Sequence, residues 1–204
     1  MAALSPSLHE KQALLPGKAR RENSRYVLVI HGGAGTMSKE GSTPEQRAKY
    51  KAALSEALKA GYAVLEDGGE AMDAAVAAVA AMEGKFASRG KGAVFNVAGK
   101  NELETSIMLS KPPQSHPEIP VSRRGFGLTL LTHTRNPSKL ARALYLAPTA
   151  APHTMLSGSA AEDIGKELGV EMVDESYFFT ANRWREHRRG LGLPEEPLPC
   201  QPEP

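Results

Sequence analysis

The sequence predicts a mixed α+β fold, and three observations carry that prediction. An apolar run, Tyr26-Val27-Leu28-Val29-Ile30, leads into the glycine-rich stretch His31-Gly32-Gly33-Ala34-Gly35-Thr36. Two helical patterns follow in succession, the first with an apolar stripe and the second dominated by alanine. Further on, segments at 102–108 and 126–134 alternate with the period of a strand. Glycines at 32, 33 and 35 let backbone N–H groups come close to a ligand or to another segment. The loop is therefore the first candidate site, although a phosphate cradle, an oxyanion pocket and a plain corner all use such a stretch.

A chain of 204 residues allows one large domain or two small ones. A hydrophobic share of 41% and a charged share of 24% describe a soluble globular protein. The formal net charge of +2 calls for no obligatory anionic partner. Cys200 is the single cysteine, so the chain cannot staple itself with a disulfide. No stretch approaches the roughly 18 apolar residues of a membrane span, and residues 1–24 lack the apolar block of a secretory signal. These features predict a cytoplasmic protein with no membrane partner. Residues 1–24 read as a disordered leader and 25–190 as the folded part. The tail at 191–204, with five prolines in its last eleven residues, reads as disordered.

Taken in order, the apolar run at 26–30 reads as a strand that ends in the glycine loop. Thr43-Pro44-Glu45-Gln46 supplies an N-cap threonine, proline at the first helical position and glutamine three residues past the cap. Leu54, Ala57, Leu58, Gly61 and Leu65 then form one stripe on a helix that stops at Gly68-Gly69. In the next helix, Glu70 to Glu83, half of the fourteen residues are alanine, which suits burial between layers at close approach. Asp73, its interior charge, reads as a helix-start acid. Ala93 to Val97 and Glu102 to Met108 are expected to form a hairpin about Ala98-Gly99-Lys100-Asn101. Residues 109–124, with four prolines, read as a surface insertion.

Phe126 to Thr134 reads as a strand, with Phe126, Leu128, Leu130 and Thr132 on one face. His133 reads as a half-exposed strand residue, because no ligand cluster at metal spacing accompanies it. Asn136-Pro137 starts a helix carried by Leu140 and Leu144. Ser157 or Ser159 starts another that ends near Gly169, Val170 to Val173 is a brief strand, and Thr180 opens a last helix ending at Gly190. That helix carries Arg183, Trp184, Arg185, Arg188 and Arg189. Cations near a helix C-terminus explain them without nucleic acid.

The order of these signals resembles the plant-type L-asparaginase and isoaspartyl peptidase family. The resemblance rests on His31-Gly32-Gly33-Ala34-Gly35, Ala71-Met72-Asp73-Ala74-Ala75-Val76, Gly90-Lys91-Gly92 and Leu103-Glu104-Thr105-Ser106-Ile107-Met108. Asn136-Pro137, Leu140-Ala141-Arg142, Val173-Asp174 and Tyr177-Phe178 extend it across roughly residues 26 to 190. It implies an N-terminal nucleophile hydrolase, an αββα sandwich of which this chain would be the incomplete α-subunit half. In that family a precursor cuts itself at a glycine-threonine bond, and the freed threonine becomes the nucleophile of a β subunit. Its α-amine, near pKa 8, serves as its own base. L-asparagine and β-aspartyl dipeptides are the implied substrates.

The chain departs from the family at three places. It carries no Gly-Thr-Val-Gly motif, its one Gly-Thr being Gly35-Thr36 in the opening loop, so no catalytic residue is assigned within it and it is expected to be inactive alone. Ala87-Ser88-Arg89-Gly90 stands where Phe-Asn-Ala-Gly is usual. There the family wraps a monovalent cation through backbone carbonyls starting at the Met82-Glu83 position, so the resemblance places any structural sodium near Glu83 and implies no other cofactor. Glu104 stands where aspartate is usual. By the same resemblance, His31, Gly32, Gly33, Ala34 and Gly35 support the active-site backbone, and the implied partner is a β subunit.

Two other readings stay open. A phosphate- or nucleotide-binding module would use the Gly32 to Gly35 loop, although no P-loop lysine follows it. A non-catalytic remnant would instead pair with an intact homologue.

Overall fold

The structure is a computed structural model that describes residues 26–33, 42–85 and 91–199. The 1–24 leader, Ala34, Gly35 and residues 86–90 of the proposed cation loop lie outside the described residues. Among the described residues, five α-helices, three strands and one turn of 3-10 helix follow in the order α1 (Pro44–Glu66), α2 (Ala71–Lys85), β1 (Leu103–Met108), β2 (Gly125–Leu131), α3 (Pro137–Tyr145), β3 (Met155–Ser157), α4 (Gly158–Glu167), the turn Glu175–Phe178, and α5 (Ala181–Gly190). The fold is mixed α/β. One sheet is present among the described residues, where a sandwich predicts two.

Helix α1 begins as its sequence dictates. The Thr43 side chain accepts from the Gln46 N–H and the Gln46 side chain accepts from the Thr43 N–H, a reciprocal capping box with Pro44 just inside it. It ends in a Schellman pair, Gly69 N–H to Val64 carbonyl and Gly68 N–H to Leu65 carbonyl. Helix α2 returns along α1, and the two backbones approach closely at Gly61. A Cβ added there would lie 2.6 Å from the Ala74 carbonyl oxygen, so only glycine fits. The alanine-rich surface of α2 permits this approach. Its other side meets α3, which places α2 between layers as its composition predicts.

Helix α3 packs on β1 and β2, and α4 packs on β2, β3 and α3. Strand β2 lies at the centre of the sheet, antiparallel to β1 and parallel to β3. The core is built from Phe126, Leu128 and Leu131 of β2, Leu140, Ala141, Leu144 and Tyr145 of α3, and Leu103, Ile119, Ala161 and Phe178 around them.

Several expected strands take another form. Residues 26–30 remain extended and alternate, with Val27 88% and Val29 82% exposed while Tyr26, Leu28 and Ile30 are half-buried. No neighbouring strand pairs with them among the described residues, so the apolar run is extended without the ladder that defines a strand. Residues 93–97 do not pair with 102–108 either. Asn101 Nδ2 donates to the Ala93 and Val94 carbonyls, and Asn96 Oδ1 accepts from the N–H groups of Ala98 and Lys100. Side-chain amides have taken the place of ladder partners, and β1 pairs with β2 instead.

In β2 the predicted alternation breaks after Leu128, because Thr129 and Leu130 together face Glu104 across a bulge. Leu130 takes φ 57° and turns outward, and Leu131 takes its place in the core. Val170 to Val173 contributes a single bridge, Met172 to Thr134, and the short parallel strand at 155–157 carried no sequence signal long enough to read.

Candidate functional site

The glycine loop is built onto α1. Tyr50, one turn and a half inside that helix, donates its hydroxyl to the Gly32 carbonyl at 2.5 Å. The imidazole of His31 is exposed, and its Nδ1 accepts from the Gly33 N–H at 3.3 Å. A neutral ring accepting at Nδ1 carries its proton on Nε2. Gly33 has φ 113°, a conformation in which a side chain is strained. Within the described residues the His31 ring is turned onto the loop's own backbone. The Gly33 N–H is thereby engaged by the ring. Ala34 and Gly35, the remainder of the predicted support, lie outside the described residues.

Glu83 is buried at the end of α2, beside the start of α3. Its Oε1 accepts from the Ser138 N–H at 2.9 Å, and its Oε2 accepts from Ser138 Oγ at 2.9 Å and from Asn136 Nδ2 at 3.0 Å. Burial pushes its pKa above the ordinary glutamate value, against the opposing pull of the Ser138 and Asn136 hydrogen bonds and the nearby Lys139. The sequence read Asn136 as the cap of α3. In the structure Asn136 makes no side-chain capping bond, and the carboxylate from α2 caps the helix instead. Both oxygens of Glu83 face protein donors, and the carbonyls of residues 86–90 that would complete a sodium site lie outside the described residues.

The opposite end of α3 is held by Arg123, which sequence reasoning missed. Its guanidinium is buried and donates from Nε to the Tyr145 carbonyl at 3.1 Å and from Nη2 to the Leu144 and Ala151 carbonyls at 3.0 and 2.9 Å. The Tyr145 hydroxyl returns a bond to the Arg123 carbonyl at 2.9 Å. Burial lowers the arginine's pKa and raises that of Tyr145. The proline-rich segment 109–124 thus delivers three residues to the interior, Pro113, Ile119 and Arg123. A lone arginine among prolines gives no periodic signal from which this could be read.

A second missed residue is Glu162 of α4, whose Oε1 gathers the N–H groups of Thr132, His133 and Thr134 and the Thr134 hydroxyl. It fixes the turn that His133 occupies, and His133 is half-exposed in a bend rather than in the strand predicted there. Asp73 behaves as a structural acid, pairing with Arg142 of α3 at 2.6 Å. Among the described residues no group of three His, Cys, Asp or Glu side chains could hold a metal ion, and no helix is long and apolar enough to cross a membrane.

Comparison with known proteins gives a consistent picture. A family model described as asparaginase matches residues 24–193. A putative isoaspartyl peptidase/L-asparaginase of Dictyostelium discoideum is 34% identical over 79% of this chain and 43% of its own length. An isoaspartyl peptidase/L-asparaginase of Danio rerio is 33% identical over 86% of this chain and 51% of its own length. An isoaspartyl peptidase of Escherichia coli is 32% identical over 79% and 47%. The chain spans about half the length of the curated relatives it matches.

Proposed function

The chain belongs to the asparaginase family, and on that premise we propose that it supplies the first half of a hydrolase. The complete enzyme would act on the side-chain amide of L-asparagine and on the β-aspartyl bond of isoaspartyl dipeptides. The observation that carries this reading is the family match across residues 24–193, from the glycine loop through α5.

The nucleophile belongs to a threonine at the head of a β subunit. Its hydroxyl attacks the amide carbonyl while its own α-amine takes the proton. An ester forms, ammonia or the second residue of the dipeptide leaves, and water hydrolyses the ester to free the aspartyl acid and the threonine. In this reading the His31 to Gly35 loop, tied down by Tyr50, is a support beside that threonine and takes no proton itself. The exposed Val27 and Val29 face is the seat of the partner half.

The 204-residue chain alone, incubated with L-asparagine and with β-aspartyl-leucine, is expected to release neither ammonia nor leucine. Release of either would overturn the assignment of the nucleophile to a separate segment. N-terminal sequencing of whatever co-purifies with the native protein is expected to find a chain that begins with threonine. The same exposed face also favours a second reading, a non-catalytic chain paired with an intact homologue, for which the co-purifying species would be that full-length homologue.

A further inference from the structure

The last helix presents a feature that the enzymatic reading does not use. Arg185, Arg188 and Arg189 stand at i, i+3 and i+4 and so share one face of α5. Each of them engages one of three successive residues of the stretch that folds back beside the helix. Arg188 Nε donates to the Pro194 carbonyl at 2.9 Å. Arg189 forks onto both oxygens of Glu195, Nε at 2.8 Å and Nη2 at 3.1 Å. Arg185 places Nε and Nη2 on one oxygen of Glu196, at 2.9 and 2.7 Å.

We propose that this face of α5 is a clamp for an acidic, extended peptide segment of another protein, closed here by the chain's own Pro194–Glu196. The contact set specifies a peptide rather than a generic anion. Two carboxylates are met by planar guanidinium forks, and the third arginine reads a backbone carbonyl, which a phosphate chain does not offer. Pro194 and Pro197 bracket the two glutamates and favour an extended backbone. The Arg188 guanidinium sits 6.0 Å from the centroid of the Trp184 ring, whose face orients it. The paired side chains remain substantially exposed, from 38% to 66%, so the cis segment is held by solvent-exchanging pairs that a competing acidic segment can displace.

The test uses a fluorescent peptide with the sequence of residues 192–199, titrated with the full 204-residue chain and with its Glu195→Gln/Glu196→Gln variant. A tethered segment competes at an effective concentration on the order of millimolar, so its removal is expected to tighten peptide binding by about fivefold or more. Equal affinity for the two proteins would overturn the proposal. Adding Arg185→Lys, Arg188→Lys and Arg189→Lys to the variant keeps every charge and removes the forks. Binding is then expected to fall back to the wild-type level, and unchanged binding would show that charge alone is read. If a single-stranded oligonucleotide binds the glutamine variant more tightly than the peptide does, the face is a nucleic-acid surface and the peptide reading fails.

Discussion

Helices α1 and α3 are both opened by a proline at the first turn, yet they stand in opposite relation to the fold. Helix α1 runs for 23 residues and buries only Ala57 and Gly61, and its neighbour, the 26–33 segment, turns Val27 and Val29 to solvent. Helix α3 runs for nine residues and buries six of them. The short helix is gripped at its N-terminus by the Glu83 carboxylate and at its C-terminus by the Arg123 guanidinium, each sign matched to the helix dipole. The long helix caps itself from its own sequence. A helix that carries its own cap and hydrogen bonds can stand at the edge of a structure, whereas a three-turn helix is marginal alone and owes its place to tertiary partners.

Breaking the grip on α3 is therefore expected to produce the largest effect. Arg123→Met keeps the bulk of the stem, leaves the Tyr145 and Ala151 carbonyls buried without the guanidinium donor and leaves the Leu144 carbonyl with only its backbone partner Ala147 N–H, a loss of about 3 kcal/mol in urea denaturation. A loss below about 1 kcal/mol would mean that water replaces the guanidinium and that the C-terminal grip is dispensable.

Glu83→Ala removes the acceptor for Ser138 and Asn136 at the other end and is expected to cost about 2 kcal/mol. Its pH signature is distinct. A carboxyl whose folded pKa is raised binds its proton more tightly in the folded state. The contribution of Glu83 is therefore greatest below the unfolded value near 4.5 and declines as pH rises through the raised folded value. The stability of the wild type relative to Glu83→Gln should accordingly shrink between pH 4 and pH 7. A relative stability that grows over that range would place the folded pKa below the unfolded one and contradict the dominance of burial.

What the sequence made legible follows the same division. The α1 start at Thr43 and Pro44, the α5 cap at Thr180 and the apolar faces of Leu140 and Leu144 are local patterns, and local patterns survive folding. Arg123 and Glu162 could not be read because their roles depend on carbonyls and N–H groups about 20 to 30 residues away in the chain. The strand at 26–30 rests on an apolar run and that at 93–97 on an expected hairpin turn. Such local signals favour an extended backbone and say nothing about whether a neighbour is there to pair with it. At the candidate site the backbone-support role of His31 and the glycines comes from the family resemblance and stands as a proposal, while the Tyr50 tether carries no sequence signal, since a tyrosine on a half-exposed helix face is ordinary.

The glycine loop falls between the two regions in expected effect. Gly33→Ala forces a side chain into φ 113°, at a cost of about 1 kcal/mol. Among the described residues the Tyr50 hydroxyl anchors the loop at Gly32, so part of that strain should be relieved locally when the anchor is removed. Tyr50→Phe is then expected to make the Gly33→Ala cost smaller, and full additivity of the two changes would show that the loop is held by more than Tyr50.

The smallest effect is expected where the sequence looked most strand-like. Val27→Ser with Val29→Ser alters two side chains that are 88% and 82% exposed, so the stability of this chain alone should move by no more than about 0.5 kcal/mol. A partner half seated on that face would bury both valines, and each would then be worth roughly 1.5 kcal/mol or more to the association. The double variant should consequently leave the denaturation midpoint of the isolated chain in place while the co-purifying partner is lost. A shifted midpoint would mean that Val27 and Val29 are already packed within this chain, and retention of the partner would place the contact surface elsewhere.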